Sequence, residues 1–272
     1  MGNLIILALT AVNLNSKYLS CIPQYINFWN SLTSTNPSLS YVPKVLVMAD
    51  ELPDSLQKYS QWCQLFHLGD TVSSTFGSQA SRILQPSLEE ADLVLTTDVD
   101  MLPMSDRIFQ KAIEAIELGA EFVVCRDVLP LGQFPICYNL ASPDVWARVN
   151  GVNNSIEIKA QLKAWFDNLQ TGAPYAGNHG GFGWFADQER LFEMVESFEK
   201  RGGRVVKFKD RETGHRRLDR LFMPFPINWI FIPAVRNGYF TDYHVHHPIN
   251  KYRRYLDAVL RMRNGSKAKV NN

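Results

Sequence analysis

Residues 89–105 read EEADLVLTTDVDMLPMS. The run 93–97 is apolar on both faces of an extended chain, which suits a central parallel strand covered by helices on either side. It ends on two carboxylates one residue apart, Asp98 and Asp100. In open α/β sheets, ligands bind beyond the carboxyl ends of the strands. Two carboxylates at i and i+2 of an extended chain point to the same side and repel unless one protonates or a cation is shared. Oxygen donors of this kind suit Mg²⁺ or Mn²⁺, ions commonly completed by substrate phosphates, so the pair points toward a nucleoside diphosphate. The plainer alternative is a turn whose polar residues cap the next helix from Ser105.

Strands and helices alternate on either side of this stretch. Residues 4–12 and 42–48 read as strands, with an amphipathic helix expected over 17–32, where Tyr18, Ile22, Tyr25, Ile26 and Trp29 recur near helical spacing. Residues 56–63 read as helical, 64–68 as a short strand, and 79–84 as a short helix ended by Pro86. After the central strand, Ile108, Phe109, Ala112, Ile113 and Ile116 form one apolar helix face that stops at Gly119, and 121–125 reads as a further strand. This βαβ rhythm predicts an α/β fold with a mostly parallel central sheet flanked by helices, followed by a less regular C-terminal half.

That second half holds an expected helix over 158–169 and a glycine-rich approach, NHGGFGW, to a helix beginning near Asp187. Residues 209–220, KDRETGHRRLDR, carry Lys209, Arg211, His215, Arg216, Arg217 and Arg220, and read as an exposed loop able to order over a ligand. A short histidine-rich strand over 243–247, a basic helix and a frayed tail close the chain.

At 272 residues and 46% hydrophobic content the chain can bury a full core in a single domain. The expected division is a ligand-binding α/β half over about 1–130, a less regular half over about 131–255, and a basic tail over 256–272. Its 28 basic and 27 acidic residues nearly cancel, which leaves no single-sign field to recruit nucleic acid or an anionic membrane. No apolar run approaches a membrane span and no signal peptide is recognisable, so a soluble cytoplasmic protein is expected. Four cysteines without a CxxC pair argue against a zinc knuckle or a disulfide scaffold. The sequons at Asn153 and Asn264 carry little weight without a secretion signal.

The strand followed by Asp-x-Asp resembles the metal-binding strand of GT-A fold nucleotide-sugar glycosyltransferases. Three further segments fit in order. SSTFGSQASRILQPSLEEADLVLTTDVDMLP resembles retaining members related to glycogenin and the bacterial galactosyltransferases, where an arginine-bearing helix precedes the metal strand. ICYNLASPDVW resembles their strand carrying an asparagine before the acceptor pocket, and GWFADQERLF their Asp-Gln pair beside the donor sugar. HVHHPINKY falls where such enzymes place a late histidine ligand and a phosphate-binding lysine, although it lacks the usual glycine between them.

The resemblance implies a Mn²⁺ or Mg²⁺ ion on Asp98, Asp100 and His244, with His246 as the next histidine. It implies donor contacts from Arg82, Asp98 and Lys251, and catalytic roles for Asp187 and Gln188. Thr10 and Ala11, at the end of the first strand, are further candidate donor contacts, and Trp184 a candidate platform for a sugar ring. Asp187 equally suits a helix cap, Arg126 with Asp127 a surface ion pair, and Lys251, Arg253 and Arg254 a solvated helix face. The implied activity transfers a sugar from a UDP- or GDP-sugar to a hydroxyl of a glycan or other acceptor. Three other functions stand beside it: a sugar-nucleotide-forming nucleotidyltransferase, disfavoured because no glycine-rich basic loop follows the first strand; a non-catalytic carbohydrate-binding relative; and a zinc metallohydrolase built on the histidines.

Overall fold

A computed structural model describes the backbone of residues 3–32, 36–70, 72–220 and 231–270, and the side chains of all of these except 231–232 and 262–270. The strands among the described residues are β1 (Leu4–Val12), β2 (Leu39–Val47), β3 (Cys63–Leu65), β4 (Leu93–Thr96), β5 (Met101–Pro103), β6 (Phe122–Val124), β7 (Asn139–Ala141), β8 (Val205–Lys207), β9 (Arg217–Asp219) and β10 (Asp242–His244). Seven form one sheet in the order β3-β2-β1-β4-β7-β6-β8. Within it β7 runs antiparallel to β4 and β6, and the other pairs are parallel. The fold class expected from the central strand is therefore the one observed: a mixed α/β domain with a large sheet between layers of helices.

Strand β1 shows why both faces must be apolar. Ile6, Ala8 and Val12 pack with Tyr25, Trp29, Phe109 and Tyr138 on one side. Leu7, Leu9 and Ala11 pack with Phe76, Leu84, Trp146 and Leu191 on the other. With helices on both faces, alternation of apolar and polar residues would bury unpaired polar groups.

Several boundaries differ from the sequence expectation for local reasons. The segment 17–32 divides into helices Ser16–Leu19 and Ile22–Asn30, because Pro23 sits in the first turn of the second. Residues 56–63 belong to a 3₁₀ helix, Asp54–Trp62. The helix expected over 79–84 starts earlier, as Ser74–Leu84, and Pro86 opens a 3₁₀ turn, Gln85–Leu88, rather than ending the segment outright. Ser105 does not cap the next helix; Arg107–Glu117 begins from Asp106, and the Ser105 hydroxyl has no hydrogen-bond partner among the described residues.

The largest correction concerns residues 209–220, which are built into the fold instead of forming an exposed loop. They comprise helix Asp210–Thr213 and strand β9. Asp210 accepts two hydrogen bonds from the Arg126 guanidinium, each 2.9 Å, and His215 is buried. Arg126 thus pairs with Asp210, not in a surface pair with Asp127. Strand β9 joins β10 in parallel, and β10 joins β5 antiparallel, as a small second sheet in the order β5-β10-β9. The helix Ile249–Val270 runs through residue 256, where the basic tail was expected to begin, and buries Leu256 and Val259. The Asn264 side chain lies outside the described residues.

Candidate functional site

The two aspartates do not share one side of an extended strand. Strand β4 ends at Thr96, and the chain turns so that the Met101 amide donates to the Asp98 carbonyl, 3.0 Å. A turn abolishes the two-residue alternation of a strand. The carboxylates consequently face different partners.

Asp98 meets Arg82. This arginine lies in the last turn of helix Ser74–Leu84, and one guanidinium nitrogen, Nη1, contacts Asp98 Oδ1. Its Nη2 donates to Asp187 Oδ2 at 2.7 Å. Arg82 is therefore a bridge between two carboxylates that lie far apart in sequence. Asp187 occupies the first turn of helix Ala186–Lys200, where the helix dipole favours negative charge, although Phe185 and not Asp187 holds the cap position. Burial pushes the Asp187 carboxyl above its usual range, and this outweighs the opposing pull of Arg82 and of the Gln188 amide, which donates to Oδ1 at 2.9 Å.

Asp100 meets the small sheet. Its Oδ2 lies 3.1 Å from Arg220 Nη1, 3.2 Å from His244 Nε2 and 3.8 Å from His247 Nε2. The ladder explains this convergence, because His244 is in register with Met101 on one side and Asp219 on the other. The other ring nitrogen, Nδ1, lies 3.1 Å from Asp219 Oδ2. Burial alone would raise the Asp100 carboxyl, but the hydrogen bond and charge of His244, with Arg220 and His247, prevail and hold it at about 2.

The remaining candidates are placed less centrally. Gln188 is half-buried, and its Oε1 is buried without a partner among the described residues. Trp184 is half-buried with its ring 5.6 Å from His179, and its carbonyl accepts from Gln79 Nε2 at 3.1 Å. Thr10 is fully buried and Ala11 nearly so, on opposite faces of β1. Lys251 is exposed and lies over the Tyr252 ring. Asn139 is wholly buried, its amide donating to the Pro135 and Ile136 carbonyls at 2.8 Å each, so it clamps the approach to β7. His246 stacks on Tyr255 at 5.5 Å, away from Asp100, while His247 turns toward it; β10 ends at His244, so the alternation expected over 243–247 does not apply.

Two participants were not singled out from the sequence, Asp219 and Gln79; Arg220 was expected only as part of an exposed basic loop, and His247 only as one of three neighbouring histidines. Gln79 accepts from the Tyr175 hydroxyl at 2.5 Å and so ties the glycine-rich segment to the helix that carries Arg82. A signal for Asp219 existed, as the one acid among the basic residues of HRRLDR.

A divalent ion is testable against this donor set. Among the described residues, no three His, Cys, Asp or Glu side chains are grouped as a metal cage. Asp100 and His244 nevertheless supply a carboxylate and an imidazole side by side, a pairing that suits Mn²⁺ better than Mg²⁺. Asp98 and Asp187 face Arg82, Asp100 faces Arg220 and Asp219 faces His244, and the surplus of four carboxylates over two guanidinium groups matches one divalent cation.

No family model matches the chain, and no curated protein matches it. Among solved structures it is similar to the glycosyltransferase GlyE of Streptococcus pneumoniae TIGR4, at 15% identity over 79% of this chain and 47% of that one, TM-score 0.45. The apo form of GlyE overlaps 99% of this chain and 64% of its own at 12% identity, TM-score 0.47. Mouse xyloside xylosyltransferase 1 overlaps 90% of this chain and 98% of its own at 12% identity, TM-score 0.45. The chain thus spans about half to two thirds of the matched GlyE chains. Likenesses of this size carry no weight for substrate or chemistry. Among the described residues, no helix is long and apolar enough to cross a membrane.

Proposed function

We propose that the chain is a GT-A type glycosyltransferase that moves a sugar from a nucleoside-diphosphate sugar, UDP- or GDP-linked, to a hydroxyl of a glycan or other acceptor. The observation that carries this reading is the meeting of Arg82 with both Asp98 and Asp187, beside an Asp100 held by His244 and Arg220. Paired carboxylates and guanidinium groups beyond the end of β4 offer contacts for a diphosphate and for a sugar.

In this reading Asp100 and His244 would hold Mn²⁺, an ion commonly bound by few protein donors together with substrate phosphates. When bound, the ion neutralises charge developing on the departing diphosphate. Arg82 and Arg220 add positive charge on the same group, and Lys251 supplies a more distant one. The bond between the anomeric carbon and the diphosphate oxygen breaks, and a bond to the acceptor oxygen forms. Asp187, buried and of raised proton affinity, accepts the acceptor proton on a carboxylate oxygen and steadies positive charge at the anomeric carbon. Gln188 Oε1 accepts a hydrogen bond from a sugar hydroxyl, and Trp184 offers an apolar face.

Calorimetry of the full chain with UDP- and GDP-sugars, with and without Mn²⁺, tests the reading. Donor binding that requires Mn²⁺ and is lost in Asp100→Ala is expected. Asp187→Asn should bind donor within a few-fold of the parent while transfer falls by roughly 100-fold or more. Metal-independent binding that survives Asp100→Ala would sink the proposal.

A further inference from the structure

Resting on that reading, we infer that Asp219 is a positioning residue that orients His244 toward a divalent cation at Asp100. The geometry begins in the small sheet, where residues 101, 244 and 219 sit side by side in register on β5, β10 and β9. One imidazole therefore lies between two carboxylates, with Nδ1 3.1 Å from Asp219 Oδ2 and Nε2 3.2 Å from Asp100 Oδ2. An imidazole can use Nε2 as a ligand only if that nitrogen is unprotonated, which leaves the ring proton on Nδ1. Nδ1–H then needs an acceptor, and Asp219 is the acceptor in place.

Three consequences favour this arrangement over a chance ion pair. The hydrogen bond to Asp219 fixes the ring plane, so Nε2 faces Asp100 without loss of rotamer freedom when the ion arrives. A carboxylate on Nδ1 makes Nε2 a more basic, stronger donor. The side chains of His244 and Asp219 are each only 20% exposed, so water competes little for the Nδ1 proton. Arg220, the next residue, grips Asp100 Oδ2 and also donates to the Val245 carbonyl at 3.3 Å, which braces the carboxylate from the same strand end. Residues 219 and 220 thus set both halves of the proposed ligand pair.

The test is Mn²⁺ binding to the full chain without nucleotide, followed by electron paramagnetic resonance of free Mn²⁺, for the parent, Asp219→Ala, Asp219→Asn and Asp219→Leu. Asp219→Ala should weaken Mn²⁺ roughly 10- to 100-fold. Asp219→Asn keeps an acceptor oxygen for Nδ1–H but not the negative charge, so it should recover only part of that loss, whereas Asp219→Leu, which fills the space without an acceptor, should recover none. Thermal melting of the metal-free variants provides the control, with midpoints expected to stay close to the parent. If the parent binds Mn²⁺ and Asp219→Ala binds it as tightly, the role of Asp219 falls and the glycosyltransferase reading stands. If the parent itself binds no Mn²⁺ with or without donor, the metal-dependent reading falls and the role of Asp219 with it.

Discussion

Arg82 is the residue on which the site turns. Its side chain is 12% exposed and that of Asp187 only 2%, so their ion pair lies largely out of water. Desolvation makes such a pair a poor source of net stability, yet removing one partner strands the other. Arg82→Met should therefore destabilise the chain by about 3 kcal/mol in urea unfolding. Adding Asp187→Asn to that variant should recover part of the loss, because the stranded charge is gone. Full additivity of the two substitutions would show that the pair does not act as a unit.

Among the elements, the glycine-rich segment before helix Ala186–Lys200 matters most, because it delivers Trp184 and Asp187 to the site. Gly183 there has φ of +77°, and a Cβ at this position would lie 2.6 Å from Leu169 Cδ2 and 2.9 Å from Tyr175 Cδ2. The positive φ strains any larger residue, and the Leu169 and Tyr175 side chains would have to shift to make room for it. Gly183→Ala should cost about 2 kcal/mol or more in stability. Donor binding should weaken as well, since Tyr175 anchors the segment to Gln79 and thence to the Arg82 helix. A variant with parental melting and parental donor affinity would show that the segment tolerates a shift without consequence for the site.

For the whole molecule, the seam between the two sheets is a buried polar cluster with a pH signature. Asp242 on β10 accepts from Tyr138, just before β7, at 3.3 Å and from Arg217 Nη2 at 3.2 Å. His215 Nε2 lies 3.6 Å from its other carboxylate oxygen, while His215 Nδ1 meets Thr241 Oγ1 at 2.8 Å. Burial lowers His215 from 6.5 to about 4; Asp242 and Asp210 pull upward, and Arg126 and Arg217 downward. Between those pH values the unfolded chain binds more protons than the folded one. Stability from this group is thus whole above pH 6.5 and falls as pH drops toward about 4. A shift of that size is worth at most about 3.5 kcal/mol, at about 1.4 kcal/mol per pH unit. Urea unfolding of His215→Asn across this range should show a flatter pH dependence than the parent; an unchanged slope would contradict the assignment.

Much of the fold was legible because it rests on local pattern. The two-faced apolar runs of β1 and β4, the helix face from Ile108 to Ile116 and the stop at Gly119 follow from side-chain period and from glycine's freedom at positive φ. The same locality explains the errors. Strand alternation was extended through Asp100 and through His247, past the points where each strand ends, and it assigned both carboxylates to one side and ranked His246, not His247, next after His244. The run 209–220 looked solvated because its charges had no visible partners nearby.

By itself, then, the sequence determined most strands and helices of the first half, that a carboxylate pair stands at the end of a buried strand, and that Arg82, Asp187 and His244 belong among the candidates. Only the tertiary structure decided who pairs with whom. The partners of Arg82 lie 16 and 105 positions away, and Asp100 meets Arg220 and His244 across 120 and 144. Charge has no period along the chain, and its pairing is settled by the desolvation and Coulomb energies of residues brought together after the sheets form.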